Sequence, residues 1–154
     1  MSASHRVYLA GPLFSQAERR WNRELARLLE QAGCRVNLPQ DTASEPLQRD
    51  PPDFEGCFRL CREGVAGCDV VVAILDGADA DSGTCWECAY AYARGIPVVA
   101  VRTDLRAGEE AGMNLMLSRS AAAVVQAPPG EERVEWVAER VLEALRRVSS
   151  AQGA

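Results

Sequence analysis

Apolar residues in this chain come in runs of four to six, bounded by Gly, Pro or Asp, and the runs alternate with stretches of helical periodicity. The runs predict strands at Arg6–Leu9, Arg35–Leu38, Val70–Leu75, Pro97–Val101 and Ala122–Val125. Between them the pattern predicts helices over about Ser15–Ala32, Asp53–Gly67 and Thr84–Arg94, a short one at Asn114–Ser118 and a last one from about Gly130 to Val148. Leu25, Leu28 and Leu29, and Val134, Val137, Val141 and Leu145, mark the buried faces of two of these helices. A polar loop with four prolines spans Pro39–Pro52, a second loop follows the fourth strand through Gly112, and the last six residues read as a frayed end.

Strand–helix alternation over 154 residues predicts a single α/β domain, residues 1–154, with a parallel sheet covered on both faces. With five strands, right-handed crossovers favour a doubly wound sheet in the flavodoxin-like order 2-1-3-4-5. In that order the strand direction of winding reverses between the first and third strands, and a ligand is expected between the loops at their carboxyl ends. Those loops are Ala10–Phe14 and the acidic stretch Asp76–Gly83. Gly11-Pro12 is a tight exit from the first strand, either a plain turn or a place where backbone approaches a ligand closely.

Composition narrows the class. The balance of 47% apolar and 25% charged residues is that of an ordinary globular domain. A net charge of -5 with scattered arginines argues against a nucleic-acid surface. No secretory leader and no apolar run near the ~18 residues of a membrane span are visible, so a cytoplasmic protein without a membrane partner is expected. In that setting the six cysteines read as thiols, and Cys57/Cys61 and Cys85/Cys88 fall within helices rather than the turns that zinc sites use. The one histidine, His5, lies near the N-terminus, so neither serine nor cysteine has an evident base.

Carboxylates remain. Asp76, Asp79 and Asp81 lead into Ser82-Gly83-Thr84 and then Glu87. Thr84-x-x-Glu87 has the spacing of a capping box, in which Glu87 folds back on the helix start. The same place near a helix N-terminus favours an ionised carboxylate suited to nucleophilic attack. The aspartates serve equally as turn residues or as ligand contacts.

Tyr8-Leu9-Ala10-Gly11-Pro12-Leu13-Phe14, Asp69 followed by Val70–Ala73, Leu75-Asp76-Gly77, Asp81-Ser82-Gly83-Thr84 with Glu87 and Tyr90-Ala91, and Asn114-Leu115-Met116 together resemble the nucleoside 2-deoxyribosyltransferase family. The likeness runs in order from Arg6 to Val125. It implies a flavodoxin-like fold and a glutamate, here Glu87, that attacks the anomeric carbon of a 2'-deoxynucleoside to give a covalent deoxyribosyl-enzyme. It implies Asp81 as the residue that contacts the base and assists proton transfer, and Tyr8 as the hydroxyl that orients the nucleophile. Gly11 (through its backbone), Phe14, Gln40, Asp76, Ser82 and Gly83 are the implied substrate contacts. Asn114 and Met116 match a segment that reaches the site of a neighbouring subunit, so a homo-oligomer, dimer or higher, is expected. No cofactor or metal is implied.

Two departures stand out. Cys61 occupies a position where many relatives carry a base-binding aspartate, and Ala89 replaces a glycine after Glu87. The resemblance also extends to deoxynucleoside 5'-monophosphate N-glycosidases, in which water takes the sugar. Pro12-Leu13-Phe14 suits an apolar wall beside an unphosphorylated substrate, whereas Arg102, Thr103 and Arg106 after the fourth strand offer a phosphate clamp. The expected partners are therefore nucleosides and free bases, with nucleotides as the phosphate-bearing alternative. A non-catalytic nucleotide-sensing module on the same fold is the reading from another class.

Overall fold

The structure is a computed structural model that describes residues 4–106 and 112–152. Its five strands, β1 (Arg6–Ala10), β2 (Arg35–Asn37), β3 (Val70–Ile74), β4 (Val98–Arg102) and β5 (Ala123–Gln126), form one parallel sheet in the order β2-β1-β3-β4-β5. Around it lie α1 (Gln16–Gln31), the single turn α2 (Pro39–Thr42), α3 (Phe54–Ala66), α4 (Ser82–Ala93), α5 (Leu115–Ser120) and α6 (Val134–Gln152). This is the expected flavodoxin-like α/β fold.

Alternation along the strands builds two separate cores. Val7, Leu9, Val70, Val72, Ile74, Val99 and Val101 face α1 and α6 and pack with Leu25, Leu29, Val137 and Val141. Tyr8, Ala10, Val71, Ala73, Val98 and Ala100 face the other way, onto Val65 of α3 and Cys88 and Ala91 of α4. Ala10, Ala73 and Ala100 stand side by side in the register of β1, β3 and β4. Three small side chains at the carboxyl edge let α4 lie close over it, which is how a helix residue comes to meet Tyr8. Among the described residues no helix is long and apolar enough to cross a membrane.

Several boundaries differ from the expected ones, and four of the differences have a clear local reason. The proline-rich loop contains α2 and a 3-10 turn at Glu45–Gln48, because Pro39 and Pro46 sit at helix starts, where a missing N–H costs nothing. α4 begins at Ser82 rather than Thr84, since Asp81 caps it. α6 starts at Val134, because Gly130 adopts φ 85°, outside the helical region. Its last turns continue through Gln152, where a frayed end was expected; 153 and 154 lie outside the described residues. The expected loop through Gly112 includes residues 107–111, which also lie outside them.

Candidate active site

Tyr8 is the one aromatic on the α3–α4 side of β1, and it is 1% exposed. Its hydroxyl donates a hydrogen bond of 2.6 Å to Glu87 Oε1 in the second turn of α4. Burial pushes the Glu87 carboxyl from its ordinary 4.5 up to about 7; the Tyr8 hydrogen bond opposes the rise and the negative charge of Asp81 adds to it. The Tyr8 phenol is pushed far above its usual range, first by burial and then by the charge of Glu87. It therefore stays protonated and remains a donor. A half-buried carboxyl that titrates near neutrality, held by a permanent donor, is ionised often enough to attack carbon and poorly enough solvated to be reactive.

The expectation that the start of α4 keeps Glu87 ionised is thus corrected: removal from water outweighs any help from the helix end. The capping-box geometry is corrected too. Asp81 is the N-cap; its Oδ2 accepts from the Thr84 N–H at 2.8 Å and from the Thr84 hydroxyl at 3.0 Å. Thr84 is a buried residue of the first turn, and Glu87 faces Tyr8 rather than the helix start. Ser82 and Gly83 form the exposed opening of α4.

Cys61 of α3 completes the cluster. Its thiol is sensed by the Tyr8 hydroxyl and the Glu87 charge, and burial pushes it up to about 11. At neutral pH the position carries a neutral thiol.

The loop after β1 is shaped by its own contacts. A Cβ on Gly11 would lie 3.0 Å from Ile74 Cβ, so glycine lets β1 leave the sheet tightly against β3. Asn22 Nδ2 donates to Pro12 O, and Arg19 donates to the carbonyls of Leu13 and Phe14. The N–H groups of Phe14 and Ser15 donate to Glu18 Oε2, which closes a capping box with Ser15 at the start of α1. Phe14 itself projects into solvent, 72% exposed.

Other candidates are held by partners of their own. Gln40 is buried, its amide donating to Arg19 O and accepting from Asn22. Asp76 accepts from the N–H groups of Thr103 and Asp104 and from the Thr103 hydroxyl, tying the ends of β3 and β4 together. It lines a cleft of about 400 Å³ on the α1 side with Trp21, Asn22 and Arg106. Asn114 caps α5 by accepting from Met116 N–H, and with Asp79 and Arg102 it lines a second cleft of about 270 Å³. Met116 is 75% exposed.

The two terminal nitrogens of Arg102 donate to the carbonyls of Leu75, Gly77 and Arg106, while its buried Nε has no hydrogen-bond partner among the described residues. Arg106 pairs with Asp104, whose carboxyl it holds well below the usual range. Sequence reasoning passed over Asn22 and Gly64. A polar residue on the apolar face of α1 and a glycine inside α3 are the signals that point to them.

Residues 7–116 match the family described as nucleoside 2-deoxyribosyltransferase. A conserved protein of Enterococcus faecalis V583 is 30% identical; the match covers 94% of this chain and 99% of that one, with a TM-score of 0.74. A 2-deoxyribosyltransferase of Bacillus psychrosaccharolyticus is 25% identical over 86% of this chain and 90% of its own, with a TM-score of 0.66. The CMP N-glycosidase BcmB of Clostridium botulinum shares the fold, at 18% identity over 88% of this chain and 97% of its own and a TM-score of 0.60. No match was found among curated proteins.

Proposed function

The chain belongs to the nucleoside 2-deoxyribosyltransferase family, and on that premise we propose that it cleaves the N-glycosidic bond of 2'-deoxynucleosides through Glu87 and passes the sugar to another base. The observation that carries this reading is the 2.6 Å hydrogen bond from Tyr8 to a Glu87 carboxyl pushed up to about 7.

With Oε1 held by Tyr8, Oε2 attacks the anomeric carbon. The C–N bond breaks, its electron pair stays on the departing nitrogen, and Asp81 assists transfer of a proton from solvent to that nitrogen, which makes the base a good leaving group. The product is a deoxyribosyl ester of Glu87. A second base attacks the same carbon from the face the first one left, releasing the carboxylate and retaining the sugar's configuration. Water in place of the second base gives free deoxyribose.

Two features support an unphosphorylated substrate. The N–H groups that a phosphate would use after β1, those of Phe14 and Ser15, already bind the carboxylate of Glu18. The clamp offered by Arg102, Thr103 and Arg106 is likewise committed, to backbone carbonyls, Asp76 and Asp104.

Incubation with deoxyadenosine or deoxyinosine and a free acceptor base should yield the new deoxynucleoside, and a 2-fluoro deoxynucleoside should leave an adduct on Glu87 by mass spectrometry. Release of free base and sugar only, and only from the 5'-monophosphate, would replace transfer by N-glycosidase activity. Tight binding of deoxynucleosides with no turnover, unchanged in Glu87→Gln, would make the chain a sensor.

A further inference from the structure

Gly64 lies in the interior of α3, where glycine weakens a helix relative to alanine. The reason is close approach. A Cβ built there would stand 2.7 Å from Tyr8 Cε2, 3.0 Å from Tyr8 Cδ2 and 2.7 Å from Asn37 Nδ2. Asn37 is the far end of a flexible side chain and can swing aside. The Tyr8 ring cannot, because it is packed in the core between β1 and the helices.

Sliding α3 outward is also obstructed. Phe58 of α3 meets Trp86 of α4 edge-on at 5.4 Å, and Trp86 stacks on Tyr90 at 5.1 Å, so aromatic contacts pin the α3–α4 seam. Any extra volume at position 64 is therefore delivered to the phenol ring, and through it to the hydroxyl that binds Glu87.

We propose that Gly64 is a positioning residue of the active site: by admitting the Tyr8 ring against the α3 backbone, it sets the hydrogen bond between Tyr8 and Glu87. It touches no substrate and acts only through Tyr8. Together with Cys61, one turn earlier on the same helix and against the same hydroxyl, it makes α3 the rigid back wall of the nucleophile. The inference rests on Glu87 being the reacting carboxylate.

Gly64→Ala tests it. The Glu87 carboxyl, followed by carbon-13 NMR, should titrate higher than in the wild type by roughly half a unit, because the donor that favours its ionised form is displaced. Turnover should fall about tenfold with KM within about twofold, the mark of a misplaced reacting group rather than lost binding. Tyr8→Phe should raise the titration likewise, and adding Gly64→Ala to Tyr8→Phe should raise it no further.

A Gly64→Ala protein with the wild-type Glu87 titration, or one whose effects add to those of Tyr8→Phe, overturns the proposal. The titration is independent of catalysis, so it decides the role of Gly64 even if no deoxynucleoside is turned over. If Gly64→Ala does not fold, Gly64→Ala/Tyr8→Leu should restore folding by removing the ring the methyl meets. Failure to restore it counts against the proposal.

Discussion

Asp81 Oδ2 binds both the amide and the hydroxyl of Thr84, at 2.8 and 3.0 Å. The residue proposed to assist the leaving base is thus also the cap of the helix that carries the proposed nucleophile. These two tasks separate by substitution. Asparagine caps as well as aspartate does but cannot relay a proton as a carboxylate does. Asp81→Asn should leave thermal stability within about 0.5 kcal/mol while turnover falls roughly 10²–10⁴-fold. Asp81→Ala should lose turnover and about 1 kcal/mol as well. Full turnover in a folded Asp81→Asn protein would remove Asp81 from the chemistry.

The raised carboxyl of Glu87 makes the fold less stable near neutral pH. Its carboxyl is raised from an ordinary 4.5 to about 7, so between those values the native state holds a proton that the unfolded state releases. Stability therefore falls as pH rises through this window and levels off above it. A neutral amide escapes the loss. Glu87→Gln should match the wild type below about pH 4.5 and exceed it by up to about 3 kcal/mol at pH 8 in denaturant unfolding. Equal stability of the two proteins at pH 8 would mean that the carboxyl is ordinary and solvated.

In the proposed reaction the same titration sets the rate. With nucleophilic attack requiring the carboxylate, kcat/KM should rise with pH toward a plateau, with its acid limb at about 7. Tyr8 donates to the ionised form and so lowers that limb. Tyr8→Phe should shift the limb upward and lower the rate at pH 6 more than at pH 8. A limb that stays in place in Tyr8→Phe would show that the hydroxyl does not address the charge on Glu87.

Much of this was legible in the sequence. Five apolar runs and the crossover rule were enough for the sheet order, and the acidic loop did lead to Glu87. The local chemistry at the start of α4 was not legible, because Thr84-x-x-Glu87 and Asp81-x-x-Thr84 overlap as capping patterns. Which one acts depends on where the chain leaves β3. The raised carboxyl was equally hidden. Helix position suggested an ionised Glu87, and only the packing of α4 over the small residues Ala10, Ala73 and Ala100 shows how far it is removed from water. Asp76 read equally as a turn residue or a ligand contact, and its three bonds to Thr103 and Asp104, 27 and 28 positions away, could not be read from local sequence.

Cys61 offers a test of charge at the back wall. As a thiol pushed up to about 11, it adds no charge beside Tyr8 and Glu87 near neutrality. Cys61→Asp places a second carboxylate there, and like charges in one site raise the affinity for a proton. The acid limb of kcat/KM should therefore move up in Cys61→Asp and stay in Cys61→Ser, measured on one deoxynucleoside across pH 5 to 9. A limb that does not move in Cys61→Asp would mean that the new carboxylate faces away from Glu87.

Leu115 and Met116 at the start of α5 are 47% and 75% exposed, and Tyr92 beside them on α4 is 64% exposed. Met116 and Tyr92 also line a shared apolar cleft of about 290 Å³ with Ala89 and Leu117. Large apolar groups clustered on a surface carry a hydration cost that association relieves. If a second copy covers this patch, as the family resemblance implies, the protein should sediment as a dimer or larger assembly. Met116→Asp would bury a charge in that contact, so it should produce monomer and reduce turnover, with far-UV circular dichroism unchanged. Wild-type protein that sediments as a fully active monomer at micromolar concentration would show that α5 serves only its own chain.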